Sequence, residues 1–211
     1  MGLILVWDMD DTLSHSNCVY NSNAIGLLED AVAARRSGLV DAIILLTDNS
    51  DQKYVKTITD VIDVLVGTRV FDRIVDRNDE LRLPTGLKDI QTVRKIVDSI
   101  GVSNENLEQR ILFFDDLETH PLSKELANPS QFIHVKWAPI EKAERNMWDS
   151  NMKDKTDYSF AENLISPPPP AAAAAAVVGG SLRYKRRHQV PLKLTRRRKR
   201  LGRSLKSRHA V

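Results

Sequence analysis

The sequence predicts an α/β fold, a central and mostly parallel sheet with helices on both faces. Two observations carry this. Strand and helix signals alternate through the first 150 residues, and parallel neighbours need crossover connections of the kind helices supply. Several apolar runs also stop abruptly at acids or at Thr and Asn, as strands do when their carboxyl ends line a shared crevice.

The elements follow in order. Leu3–Trp7 (LILVW) is wholly apolar and reads as a strand buried on both faces. Residues 23–36 read as a helix and residues 42–46 (AIILL) as a second strand. Within Gln52–Val66, the apolar Val55, Ile58, Ile62 and Leu65 recur at helical spacing. Residues 71–75 form a short third strand. Leu87, Ile90, Val93, Val97 and Ile100 then mark one face of a helix, residues 111–114 (ILFF) a fourth strand, and residues 132–135 (FIHV) the last. Beyond residue 150 the pattern fails. Residues 166–180 (SPPPPAAAAAAVVGG) join a proline run to an alanine run without packing periodicity, the composition of a linker. The expected organisation is a catalytic-type domain over 1–150, a linker over 151–180 and a basic disordered tail over 181–211.

Charge is divided along the chain. The 211 residues carry a formal net charge of +3, but residues 181–211 hold thirteen Lys or Arg and no acid, which leaves −10 on residues 1–180. A run of this kind is expected to be disordered and to contact nucleic acid through counterion release, or to serve as a nuclear-import signal. One cysteine, Cys18, excludes an internal disulfide framework and fits a reducing compartment. The start lacks a basic region and a long apolar core, and no apolar run approaches the roughly 18 residues of a membrane span. The expectation is a soluble intracellular protein with no membrane association.

The polar residues gather at three strand ends: Asp8, Asp10 and Asp11 after the first, Thr47, Asp48 and Asn49 after the second, Asp115 and Asp116 after the fourth. Clustered carboxylates repel unless a cation or a proton compensates them. A hard divalent ion such as Mg²⁺ takes oxygen ligands, so Asp8 and Asp115 are suited to hold one while leaving room for a phosphate. One carboxylate beside it can attack phosphorus, and a second, two residues on, can exchange protons with the leaving oxygen and the attacking water.

"DMDDTLSHS", residues 8–16, resembles the DxDxT/V signature of the haloacid dehalogenase superfamily, and is similar to the corresponding segment of its small phosphatases that act on the RNA polymerase II C-terminal domain. Three further elements resemble the superfamily's remaining motifs in order: "AIILLTDNS" ending at Thr47, "GLKDI" supplying Lys88, and "ILFFDD" with Asp115 and Asp116. The compact length and "LLTDNS" also resemble the small phosphatase-like proteins of large DNA viruses. The resemblance covers residues 1–140. It implies a Rossmann-like fold, Asp8 as nucleophile and Asp10 as general acid and base. It also implies Mg²⁺ held by Asp8, the Asp10 carbonyl and Asp115 with Asp116 behind them, and phosphoryl oxygens held by Thr47 and Lys88. Thr12, Asp48 and Asn49, on the adjoining turns, are expected to contact substrate. The chain differs from the polymerase-tail phosphatases at Asp11, where they have Glu, and at Asp116-Leu117, where they have Asn-Ser.

Thr47 follows Asp8 by 39 positions and Lys88 follows Thr47 by 41. Both intervals are filled by predicted elements, so no large cap domain is expected, and in this superfamily an open crevice implies a bulky substrate. A phosphorylated protein is the first expectation, a phosphorylated nucleic-acid end the alternative, and a non-catalytic binding protein the second alternative. Lys95 lies two helical turns beyond Lys88 and is the competing lysine. His15, His120 and His134 are expected to be structural.

Overall fold

The computed structural model describes residues 1–15, 19–82, 85–139 and 152–166. The proline- and alanine-rich segment and the basic tail lie outside the described residues.

The chain forms β1 (Leu3–Trp7), a small hairpin of β2 (Ser14–His15) and β3 (Val19–Tyr20), α1 (Ser22–Arg36), β4 (Val40–Leu46), α2 (Gln52–Val66) and β5 (Arg73–Val75). There follow α3 (Ile90–Ser99), α4 (Leu107–Arg110), β6 (Ile111–Asp115), α5 (Leu122–Glu125), β7 (Phe132–His134), β8 (Trp137–Pro139), β9 (Met152–Asp154) and α6 (Ser159–Ile165). Five strands pair in the order β5-β4-β1-β6-β7, every pair parallel. The expected α/β class and parallel sheet are therefore present, and the strand order is that of a Rossmann-like sheet, reversing direction at β1. A crevice opens at such a reversal, outside the carboxyl ends of the strands.

Alternation along each strand divides the core in two. Leu5, Trp7, Ile43, Leu45, Leu112 and Phe114 face α1, α2 and α6, whereas Ile4, Val6, Ile44, Leu46, Ile111 and Phe113 face α3, α4 and α5. Burial on both faces explains why these strands read as unbroken apolar runs. Trp7 and Phe114, register partners on β1 and β6, stack with ring centroids 3.7 Å apart.

Helix starts are fixed locally. The Asn21 side chain accepts from the amides of Asn23 and Ala24, Asp51 from Tyr54, and Asp89 from Thr92, each satisfying donors that a helix start leaves open. Gly67 ends α2 with φ 80°, a left-handed value that glycine adopts without strain.

Three expectations are corrected. Phe71 is a core residue ahead of β5, whose pairing begins at Arg73. Leu87 is 44% exposed and precedes α3, because Asp89 caps that helix and fixes its start at Ile90. The boundary drawn at residue 150 cuts the folded unit: β9 pairs with β8, and Tyr158, Ala161 and Ile165 enter the core. Tyr158 also accepts a hydrogen bond from Asn21 Nδ2 at 3.1 Å, and Asn23 Nδ2 donates to Asp154 at 3.2 Å. The start of the expected linker is thus stapled to the start of α1. Ile165→Ala should accordingly cost about 2–4 kcal/mol in urea unfolding; a residue in a free linker would change nothing. Among the described residues no helix is long and apolar enough to cross a membrane.

Candidate active site

The sheet brings the three acidic strand ends together by backbone pairing that runs past the strands. The Asp8 amide donates to the Phe114 carbonyl at 2.9 Å, the Thr47 amide to Val75 at 3.0 Å, and the Val135 amide to Asp115 at 2.9 Å. Asp8, Thr47 and Asp115 are consequently fixed at the carboxyl edge of neighbouring strands. After Asp8 the chain turns sharply, with the Met9 carbonyl accepting from Leu13 and Ser14 and with Asp11 at φ 54°.

At the centre lies Lys88, whose Nζ is 2.6 Å from Asp8 Oδ1 and 2.6 Å from Asp115 Oδ2. All three side chains are at least nine-tenths buried. The loop bearing the lysine is tied down where the Leu122 amide donates to the Lys88 carbonyl at 3.0 Å. Geometry therefore distinguishes the two lysines: Lys88 is in the cluster, while Lys95 is exposed on α3.

Asp8, Asp115 and Asp116 each offer a carboxylate oxygen, all within 4.8 Å of one another. Burial pushes the Asp8 carboxyl up to about 7, against the pull of Lys88 and with the push of Asp115. Burial, helped by the charges of Asp115 and Asp11, raises Asp116 to about 6. Lys88 offsets one of the three negative charges and leaves two. An oxygen-only donor set with that residual charge fits a hard divalent cation.

The surrounding residues divide into those that face the cluster and those held elsewhere. Asp10 accepts from Asn49 Nδ2 at 3.0 Å, joining the turn after β1 to the turn after β4. Thr47 Oγ1 accepts from the Asn49 amide at 3.1 Å, which leaves its hydroxyl hydrogen as a donor. Asn49, expected to contact substrate, braces these two groups. Asp48, read the same way, is paired with the buried Arg82 guanidinium. Thr12 is fully enclosed, and its carbonyl accepts from Asn21 Nδ2 at 3.1 Å; no contact ties it to the carboxylates. Asn49 and Asp48 thus hold the turns, whereas the Thr12 hydroxyl is buried with no hydrogen-bond partner.

Sequence reasoning missed Arg82 and set His120 aside. Arg82 donates to Asp48 and to the Gly86 carbonyl, both through Nη2, while its Nε and Nη1 are buried with no hydrogen-bond partner. His120 is 6% exposed, with Nε2 3.6 Å from Asp48 and 3.9 Å from Asp115. Burial, seconded by the charge of Lys88, holds its pKa below the usual imidazole value, so it is neutral at pH 7. Arg82 sits in a polar stretch that has no period to mark it, and the only sign of His120 was its nearness to the fourth strand.

The fold and cluster together define an α/β protein with a buried lysine–carboxylate centre at the carboxyl edge of a parallel sheet. Comparison with protein-family models, curated proteins and solved structures gives no significant match.

Proposed function

We propose that this chain is a Mg²⁺-dependent phosphomonoester hydrolase that works through an aspartyl-phosphate on Asp8, with phosphorylated proteins as substrates. The observation that supports it most is Lys88 bridging Asp8 and Asp115, with Asp116 beside them. The resemblance of the four sequence segments to haloacid dehalogenase phosphatases points the same way.

The chemistry divides among the residues. A carboxylate oxygen of Asp8 attacks phosphorus while the bond from phosphorus to the ester oxygen breaks, and Asp10 gives that oxygen a proton. Asp10 then takes a proton from water as the water attacks the phosphoaspartate, which returns Asp8 and releases phosphate. Asn49 orients the Asp10 carboxylate through its 3.0 Å bond. The Thr47 hydroxyl and the Lys88 ammonium serve the phosphoryl oxygens, and Lys88 also keeps Asp8 ionised. Asp8, Asp115, Asp116 and the Asp10 carbonyl would hold a Mg²⁺ ion, which would supply positive charge to the phosphoryl oxygens. Such a site acts through positioning and electrostatics.

The metal reading has a pH signature. Cation binding requires ionised carboxylates, whereas Asp8 and Asp116 titrate at about 7 and about 6 without one. Apparent Mg²⁺ affinity should therefore rise from pH 5 to pH 8, with proton release visible by calorimetry in buffers of different ionisation enthalpy. Both folded-state values lie above the ordinary 3.8, so the metal-free fold should lose stability as pH rises through this window, and Mg²⁺ should restore it. Chelation should silence hydrolysis of an aryl phosphate, Mg²⁺ should restore it, and Ca²⁺ should do so poorly because its coordination sphere is larger and looser. Undiminished turnover in excess chelator would sink the proposal.

A further inference from the structure

Beside the carboxylate cluster lies an open cleft of about 450 Å³ that the mechanism above does not use. Asp116 belongs to both, so the cleft adjoins the place where a phosphoryl group would meet Asp8. One wall is aromatic. Trp137, at the start of β8, donates from Nε1 to the Asp11 carbonyl at 2.5 Å, and the His15 ring stacks on it with centroids 4.9 Å apart. The Asp11 carboxylate pairs with His15 Nδ1 in turn. Asp11 holds φ 54°, a left-handed value unfavourable for a non-glycine residue, and the Trp137 and His15 contacts help to hold it there. The lining also includes His134, whose Nε2 bonds the Asp116 carbonyl at 2.9 Å and whose Nδ1 lies 2.6 Å from Glu118.

We propose that this cleft is the leaving-group subsite of the phosphatase and that it takes the phenol ring of a phosphotyrosyl side chain. The inference rests on the function proposed above and narrows its substrate. A serine or threonine ester has too few carbon atoms beyond the oxygen to use an aromatic wall. A phenol ring laid against Trp137 and His15 gains ring–ring attraction beyond its buried area. A nucleic-acid end offers rings as well, but it brings a polyanion toward Asp11, Asp116 and Glu118, with Lys136 the one Lys or Arg among the described residues of the lining. Residues 1–180 as a whole stand at −10. The charge beside the cleft therefore favours a protein ring over a nucleobase, although residues 181–211 carry the opposite sign.

The test uses the full chain with Mg²⁺ on peptides of one sequence carrying phosphotyrosine or phosphoserine, on a 5′-phosphorylated oligonucleotide, and on acetyl phosphate. The expected kcat/KM for the phosphotyrosyl peptide exceeds that for phosphoserine by at least about tenfold, which corresponds to about 1.4 kcal/mol. Leaving-group reactivity alone favours a phenol, so the decisive reading is the ratio in variants. Trp137→Leu should shrink the preference about tenfold, mainly through KM, and Trp137→Phe, which keeps a ring, should retain most of it. As a second measurement, Asp8→Asn protein should bind the phosphotyrosyl peptide more tightly than the phosphoseryl one. An unchanged ratio in Trp137→Leu, equal binding by Asp8→Asn, or a preference for the oligonucleotide overturns the subsite while leaving the hydrolase standing. Failure to hydrolyse any of the four, acetyl phosphate included, overturns both.

Discussion

Asp8→Asn should lower kcat for an aryl phosphate by at least about a thousandfold, the scale on which removal of a nucleophile acts, and it should do so without unfolding the protein. The amide keeps the shape of the carboxylate, so the backbone bond from Asp8 to Phe114 and the strand end persist. What disappears is the electron pair that attacks phosphorus. The substitution also removes a buried charge whose carboxyl is pushed up to about 7 by burial, so at pH 8 the metal-free variant should unfold at a temperature equal to or above that of the parent. Loss of turnover together with retained stability would assign the defect to chemistry. Retained turnover would remove Asp8 as nucleophile, and the aspartyl-phosphate reading with it.

Much of this arrangement is legible in the sequence because the same residues carry both the fold signal and the site signal. A strand buried on both faces is an unbroken apolar run, so the point where LILVW or ILFF stops is also the point where the crevice begins. Helix α2 is equally plain, with Val55, Ile58 and Ile62 on one buried stripe. The C-terminal segment is not. In SFAENLI only Ala161 and Ile165 are buried, a pattern too sparse to distinguish from a polar linker, and its anchor to Asn21 and Asn23 joins residues more than 130 positions apart. The supporting polar groups are hidden for a related reason. Asp48 and Asn49 sit at a strand end and read as substrate contacts, yet their partners, Arg82 and Asp10, come from other loops. Only the tertiary structure shows that each already has such a partner. No motif in the sequence marks Trp137, and only the fold sets it against His15 and the Asp11 carbonyl.

Lys88→Met should be the most destabilising single substitution at the site. A buried cation between two buried carboxylates is not in itself strong support for a fold, since removing all three charges from water costs as much as their attraction returns. Removing only the cation is different. Asp8 and Asp115 are then left facing each other at 7% and 0% side-chain exposure, with backbone amides to bond but no lysine between their charges. Breaking a buried pair in this way costs about 3–5 kcal/mol, which for a folded unit of this size lowers Tm by on the order of 10 °C. The loss should depend on pH with a defined sign. Lys88 holds the Asp8 carboxyl down, so without it that carboxyl titrates above about 7, and lowering the pH to 5 protonates Asp8 and relieves the repulsion. Urea unfolding should therefore show a large deficit for Lys88→Met at pH 7.5 and a smaller one at pH 5, with Mg²⁺ recovering part of it at the higher pH by replacing the missing charge. Lys88→Arg should not rescue the protein, because a site that leaves lysine 1% exposed has no volume for a guanidinium. The exposed Lys95→Met serves as the control and should match the parent in stability and turnover. A deficit that is equal at both pH values would mean that Lys88 contributes packing alone, and its role in holding Asp8 ionised would have to be abandoned.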